Sequence, residues 1–159
     1  MLLPPAVLLA TRYSLLATSA QSIMNITLPP GGILIGIGCD IIDVERIHAA
    51  LRRHGDHFIK RVFTEEEQAY CSPLKYPHKH YAARWAAKEA VSKAFSTGIG
   101  PELGWTSVSV YHGERHQPLI RLDAKAQALL EQVGATHIHL TLSHSDAQAM
   151  AVAALVKHG

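Results

Sequence analysis

Two acidic residues that are far apart in the sequence have the surroundings of a metal site. Asp40 directly follows a short apolar, glycine-containing segment, residues 33–39, which is typical of a buried strand. Glu89 lies in an alanine-rich run that predicts a closely packed helix, where a charge is costly unless it is paired or bound to a ligand. One carboxylate from a strand end and one from a helix suit Mg²⁺, which also takes waters and substrate phosphates. Asp40 could alternatively cap the helix that follows it.

Three cations lie within five residues of Glu89 on its predicted helix. Arg84 lies four residues before Lys88, which puts both on one side of the helix, and Lys93 has the same spacing from Glu89. A solvated salt bridge between Glu89 and Lys93 would stabilise the helix by about 0.3–0.5 kcal/mol and needs no ligand. In a helix that other elements approach closely, these cations could instead hold phosphate oxygens. Gly98 is predicted to follow the helix end, in a loop of flexible backbone.

Histidines offer weaker signals. His144 lies in the turn Ser-His-Ser-Asp, residues 143–146, where it could meet a ligand from a rigid sheet edge or be only a polar turn residue. A Ser-His-Asp hydrolase relay is not indicated, because the chain has no G-x-S-x-G elbow and three neighbours in a turn cannot easily form the relay geometry. His137 and His139 share one face of a predicted strand, but no third metal ligand is implied.

Hydrophobic periodicity predicts an α+β domain that positions these residues. The segments with helical spacing are, in order, 44–54, 56–63, 64–71, 78–96 and 124–133. Local signals delimit them: Asp43 caps the first and Gly55 ends it, Thr64 and Glu67 form a capping box for the third, and Asp123 caps the last. The predicted strands are 33–39, 107–112, 118–122, 137–142 and 147–156.

Composition excludes several classes of protein. The chain has 159 residues, which is enough for one domain with a buried core. Its composition of 48% hydrophobic and 18% charged residues rules out a wholly disordered chain. A net charge of +2 is low for a protein that binds nucleic acid mainly by charge. The two cysteines, Cys39 and Cys71, make no disulfide framework and predict reduced thiols in a cytosolic protein.

Residues 1–32 differ from the rest of the chain. They contain one charged residue, Arg12, and four prolines. Their apolar run, residues 2–10, has the length of a signal-peptide core but no basic segment before it, and it is far too short to span a bilayer. We expect a disordered extension or the product of an upstream start, with Met24 as an alternative first residue, followed by one domain at 33–159.

Positive charge is concentrated in residues 44–61. This segment has five arginines and lysines, among them Arg46, Arg52 and Arg53, against two acidic residues, which gives +3 in a chain of net +2. The segment could be an ordinary solvated face, or it could steer and dock an acidic protein partner.

Three segments in this order resemble the holo-acyl-carrier-protein synthase family of 4′-phosphopantetheinyl transferases. They are GIGCDIIDVERI at 36–47, RWAAKEAVSKAF at 84–95 and LSHS at 142–145, and RVFTEEE at 61–67 also fits. The pattern W-x-x-K-E-x-x-x-K, paired with the upstream G-x-D, carries the resemblance, which covers about residues 33–157. It implies the fold of that family, an antiparallel sheet wrapped against a long central helix.

The resemblance implies that the chain transfers the phosphopantetheine arm of coenzyme A to a serine of an apo-acyl carrier protein and releases 3′,5′-ADP. Asp40 and Glu89 match the family's Mg²⁺ ligands and, with Lys93, its catalytic residues. Either Glu89 or a metal-held water would take the serine proton. The positions that match residues near the phosphates and nucleotide of coenzyme A are Arg84, Lys88, Lys93, Gly98 and His144.

The resemblance also implies partners. Arg46 matches the basic residue that grips the acidic carrier helix, and Arg52 and Arg53 follow on the same predicted helix. The family forms homotrimers with active sites between subunits, and its substrates imply a cytoplasmic enzyme of fatty-acid or polyketide synthesis, with no membrane or nucleic-acid partner. Ser96 departs from the family, which usually has glycine there.

Two other classes of protein share these features. A non-catalytic subunit could bind coenzyme A or a carrier on the same fold, although the intact Asp40, Glu89 and Lys93 argue against it. A different Mg²⁺-dependent nucleotide enzyme, such as a pyrophosphohydrolase, could use the same acids.

Overall fold

The structure, a computed structural model, describes residues 31–159, of which Gly32–Gly159 form one unit. The predicted extension, residues 1–32, lies outside the described residues except for its last two, and so does the alternative start at Met24. Within 31–159 no helix is long and apolar enough to cross a membrane. Both cysteines are unpaired thiols, as predicted.

Two antiparallel sheets contain all five strands of the described chain. The larger sheet has the order β1-β5-β4, and the smaller one pairs β2 with β3. Their bounds are Ile33–Asp43 for β1, Val108–His112 for β2, Pro118–Leu122 for β3, His137–His144 for β4 and Gln148–Lys157 for β5. The α+β class with antiparallel sheets is confirmed.

The helices begin and end close to the predicted residues. They are α1 at Val44–Val62, α2 at Glu65–Cys71, α3 at Pro77–Ala94 and α4 at Ala124–Gln132, with a 3₁₀ turn at Trp105–Ser107. The predicted break at Gly55 is present inside α1, where φ is 48° and ψ is −133°. The capping box of α2 is confirmed, and Asp123 caps α4 by accepting from the Ala126 amide.

The first strand is longer and more exposed than its sequence predicts. Pairing with β5 continues past Cys39 to Asp43, so Asp40 lies within the strand, opposite Ala151, rather than after it. Asp43 precedes α1 without capping it, because its carboxylate accepts from the Gln148 side chain instead. The prediction of a buried strand was wrong for the face that carries Ile37 and Ile41, which are exposed. At the start of the strand, where the register shifts, Ile33, Leu34 and Ile35 are exposed as well.

The other face of β1 lies directly against α3, and two glycines make this possible. A Cβ at Gly38 would lie 2.1 Å from the Ala90 carbonyl oxygen, and one at Gly36 would lie 2.3 Å from the Ala94 carbonyl oxygen. Both distances are far below contact distance, so any other residue would separate the two backbones. The close approach fixes how far the side chains of β1 lie from those of α3.

The end of α3 lies one turn before the predicted Gly98. Ser96 has φ 60°, its amide donates to the Lys93 carbonyl, and the Thr97 amide donates to the Ser92 carbonyl. These two bonds form a Schellman motif with Ser96 in the left-handed position that glycine usually occupies. The left-handed residue that follows the helix is therefore Ser96, two residues before the predicted Gly98.

Candidate active site

The structure brings Asp40, Glu89 and Lys93 together where β1 crosses α3. The Lys93 Nζ atom lies 2.8 Å from Asp40 Oδ1 and donates to the Cys39 carbonyl at 3.0 Å. The Asp40 side chain is 15% exposed, whereas that of Lys93 is half exposed. Glu89 precedes Lys93 by one helical turn and is half-buried.

The two carboxylates of this cluster influence each other. Burial raises the pKa of Glu89, and the negative charge of Asp40 raises it further, while Lys93 and Arg46 act to lower it. The hydrogen bond from Lys93 to Asp40 raises the pKa of Lys93. The cluster is thus a pair of acids whose mutual repulsion is relieved by a cation.

This donor set fits Mg²⁺. Two carboxylates with one ammonium already against Asp40 show that the position favours a cation, and oxygen donors are the ligands that Mg²⁺ prefers. In residues 31–159 no group of three or more histidine, cysteine or acidic side chains could hold a metal. A metal at Asp40 and Glu89 would therefore depend on water and on oxygens of a substrate for its remaining ligands.

Lys88 does not belong to this cluster. Its side chain is fully buried, with Nζ 2.9 Å from Glu67 Oε2 and 2.7 Å from the Trp105 carbonyl, and it also donates to the Val108 carbonyl. All three donors of the ammonium are used inside the protein. The prediction that Lys88 contacts the phosphates of coenzyme A is therefore corrected: burial and the ion pair with Glu67 make it part of the core.

Arg84 is buried as well, but its charge is not balanced. The side chain is 2% exposed, and the guanidinium carbon lies 4.3 Å from the centre of the Tyr70 ring. One nitrogen donates weakly to the His80 carbonyl at 3.4 Å, whereas Nε and Nη2 have no partner among the described residues. A buried cation with unused donors is costly, so this position suits an anion.

His144 lies at the end of β4 and, like Arg84, lies beside His80. It lines a shallow cavity of about 210 Å³, and its ring meets that of His80 edge-on, with ring centres 5.8 Å apart. Burial lowers the pKa of His80, and the positive charges of His144 and Arg84 lower it further. Gly98, with φ 65°, lies in the exposed loop after α3 and has open space beside its α-carbon.

The three arginines predicted to bind a partner are all exposed on α1. Arg52 forms an ion pair with Glu45 at 2.7 Å, and Arg46 lies close enough to Glu89 to lower its pKa. Beside α1 is an aromatic cleft of about 360 Å³, which the sequence did not reveal; its lining residues are His54, His57, Phe58, Arg61, Val62, Trp85 and Trp105.

A third histidine lies beside the predicted pair on β4. The His158 ring centre lies 4.1 Å from that of His137 and 5.9 Å from that of His139, and the two contacts are tilted and stacked. The rings thus face each other, and they are not among groups that could hold a metal.

Sequence reasoning also missed Glu67 and His80. Glu67 was identified only as the cap of α2, since its approach to Lys88 depends on how α2 packs on α3. The spacing of His80 and Arg84, four residues apart, was a signal that both side chains lie on one face of the helix.

The chain matches a known family over most of its length. Residues 36–153 match the model of the 4′-phosphopantetheinyl transferase superfamily, and the chain belongs to that superfamily. It is 43% identical over 120 residues to a holo-[acyl-carrier-protein] synthase of Chlamydia muridarum, a match that covers 76% of this chain and 93% of that protein.

Solved structures share the fold. The holo-[acyl-carrier-protein] synthase of Neisseria meningitidis has a TM-score of 0.73 at 28% identity, and the match covers 77% of this chain and 98% of that one. The synthase of Helicobacter pylori, solved in complex with coenzyme A, has a TM-score of 0.67 at 28% identity, covering 76% and 99%. The resemblance found in the sequence is confirmed, and with it the family fold.

Proposed function

We propose that the protein is a holo-acyl-carrier-protein synthase, which transfers the 4′-phosphopantetheine arm of coenzyme A to a serine of an apo-acyl carrier protein and releases 3′,5′-ADP. Its transferase domain covers residues 33–159. The observation that carries the proposal is the cluster of Asp40, Glu89 and Lys93 at the crossing of β1 and α3 in a chain of this superfamily.

Asp40 and Glu89 hold Mg²⁺ in the working enzyme. The metal, when bound, supplies electrostatic stabilisation of the pyrophosphate and of the leaving 3′,5′-ADP. Lys93 lies beside the same carboxylates and donates to a phosphate oxygen of the substrate. Glu89 is suited to accept the serine proton, because a raised pKa brings a carboxylate closer to the operating pH of a general base.

Arg84 and His144 bind the nucleotide end of coenzyme A. Support comes from the unpaired guanidinium nitrogens of Arg84, which has no acidic partner among the described residues, and from the rings of His80 and His144, which can donate hydrogen bonds beside it. Gly98 contributes backbone in the loop after α3. Binding of a phosphate there would give the buried charge of Arg84 its counterion.

The carrier protein docks on α1. Arg46, Arg52 and Arg53 offer positive charge to an acidic helix, and the adjacent aromatic cleft offers an apolar surface for a side chain of the same helix. Because Arg46 also lies near Glu89, a carrier bound to this face presents its serine to the active site.

Three copies of the chain assemble with active sites between subunits. The exposed apolar face of β1, continued on β5 by Met150 opposite Ile41, is the surface that supports this. Light scattering of the native chain tests it: three chains of 17.3 kDa are expected, and a monomer would contradict it. Coenzyme A and carrier proteins are cytoplasmic substrates, so we place the enzyme in the cytoplasm.

One incubation tests the function against its alternatives. Coenzyme A, Mg²⁺ and an apo carrier protein are mixed with the native chain, and the carrier is weighed by mass spectrometry. A gain of one phosphopantetheine arm with matching 3′,5′-ADP release is expected. Cleavage of coenzyme A without a carrier would identify a pyrophosphohydrolase, and binding with no product would identify a non-catalytic subunit.

A further inference from the structure

We infer that Lys93 occupies the cation position at Asp40 until substrate arrives, so that its ammonium and the divalent metal compete for the same carboxylate. This inference rests on the proposed function, because it assumes that Asp40 is a metal ligand. Metal then binds tightly only when an anionic substrate draws Lys93 away from Asp40.

The contacts of Lys93 are those of a movable cation. Its ammonium is held by two acceptors, Asp40 Oδ1 at 2.8 Å and the Cys39 carbonyl at 3.0 Å, although an ammonium has three donors. Its side chain is half exposed, so it can rotate into solvent without disturbing the core. By contrast, Lys88 on the same helix has three acceptors and no exposure, and cannot leave.

Electrostatics make the two cations exclusive at Asp40. The carboxylate is mostly buried, and the ammonium already contacts its Oδ1 atom at 2.8 Å, so a metal bound to that oxygen would lie within a few ångströms of Nζ. A second positive charge a few ångströms away repels a divalent ion, and at that separation the repulsion weakens binding by about tenfold or more even at a solvent-like dielectric. Arg46, whose charge acts to lower the pKa of Glu89, adds to the positive charge.

Substrate relieves this competition. A pyrophosphate offers oxygens both to Lys93 and to the metal, so the lysine gains a new partner while Asp40 is released. Metal and coenzyme A must then strengthen each other's binding by the same factor, since the coupling between two ligands is reciprocal.

Direct binding of Mn²⁺, used as a spectroscopic substitute for Mg²⁺, tests the inference without any turnover. Free Mn²⁺ is measured by electron paramagnetic resonance, with and without coenzyme A, for the native chain, Lys93→Met, Lys93→Arg, Asp40→Asn and the double variant with Asp40→Asn and Lys93→Met. We expect weak binding by the native chain alone and at least about tenfold tighter binding by Lys93→Met. Coenzyme A should tighten Mn²⁺ binding strongly in the native chain and much less in Lys93→Met.

The other two variants are the controls. Lys93→Arg keeps the charge and should bind Mn²⁺ as weakly as the native chain, and Asp40→Asn should abolish the gain when combined with Lys93→Met. Thermal unfolding without metal checks that each variant is folded. If Lys93→Met binds Mn²⁺ like the native chain, while Asp40→Asn abolishes the binding seen with coenzyme A, the competition is overturned but the metal site stands. Unchanged Mn²⁺ binding by Asp40→Asn would overturn both the competition and the metal site. Failure of the carrier assay alone would overturn only the proposed transferase function.

Discussion

Two lysines of α3 each form an ion pair with a carboxylate, but one pair is buried in the core and the other lies near the surface. Lys88 and Glu67 are both fully buried, 2.9 Å apart, and are surrounded by further hydrogen bonds. Lys93 and Asp40 are 2.8 Å apart, but the lysine is half exposed and has one donor to spare. The two ion pairs have nearly the same length, but they differ in burial and in the number of further hydrogen bonds.

This difference separates a structural charge from a chemical one. The ammonium of Lys88 ties α3 to α2, to the 3₁₀ turn and to the first residue of β2, because each of its donors ends on a different element. Burial lowers the pKa of Lys88, and the charge of Glu67 opposes that shift. The ammonium of Lys93 remains free to change partner, which is what a group that handles substrate phosphates requires.

The largest effect should come from breaking the exposed cluster. Glu89→Gln removes the carboxylate that we propose as metal ligand and base, so we expect turnover to fall by about 10²–10⁴-fold or more while the fold is kept. Release of 3′,5′-ADP measures turnover, and circular dichroism checks the fold. Transfer at the native rate by this variant would refute the assignment of the site.

Breaking the buried pair should instead affect folding. Lys88→Met leaves Glu67 as an uncompensated buried charge, so we expect the free energy of unfolding to fall by about 3–5 kcal/mol. Lys93→Met is the matched control, with a smaller expected loss of about 1 kcal/mol because the lysine of this pair is half exposed. Urea unfolding measures both, and Glu67→Gln serves if Lys88→Met does not fold. Equal losses for the two lysines would remove the distinction between the pairs.

The pH dependence of stability should show the effect of the Glu89 carboxylate at the exposed cluster. Because the pKa of Glu89 is raised above 4.5 in the folded chain, its ionised form lowers stability at neutral pH. We therefore expect Glu89→Gln to melt at a higher temperature than the native chain at pH 7. The gap should close as the pH falls through the raised pKa and vanish below the unfolded value near 4.5. A gap that widens on acidification would contradict the direction of the shift.

The smallest effect concerns the end of α3 next to Lys93. Ser96→Gly removes the strain of a left-handed serine but makes the unfolded chain more flexible, so we expect a net change within about 1 kcal/mol, favouring the variant. Calorimetric unfolding measures it, with Ser96→Ala as the control that keeps the strain. If Ser96→Ala were more stable than Ser96→Gly, the backbone at this position would not be strained.

Local signals predicted the fold well where they act over a few residues. The capping box at Thr64, the cap at Asp123 and the break at Gly55 all depend on neighbours in sequence, and all are present. Cys39, which precedes Asp40, does not end β1 as predicted, because the strand end is decided by its partner β5. The position of Ser96 was missed because a glycine two residues later matched the expected pattern better.

The site was predictable in part. The cluster of Asp40, Glu89 and Lys93 follows from a motif on each of two elements, and the structure brings the three together. The burial of Lys88 could not be predicted, because its spacing from Arg84 suggests a shared face while its true partner comes from another helix. The roles of these residues in coenzyme A and carrier binding stay predictions that the experiments above address.

The glycines of β1 have a consequence for how inherited variation affects this enzyme. Neither Gly36 nor Gly38 has a side chain that could meet a ligand, yet a single methyl group at either would collide with a carbonyl oxygen of α3. Asp40 lies on the same strand and would be displaced with it. A saturation mutagenesis screen scored by carrier modification should therefore find these two positions as intolerant as the acids themselves, and losses there would resemble catalytic lesions although no reacting group had changed.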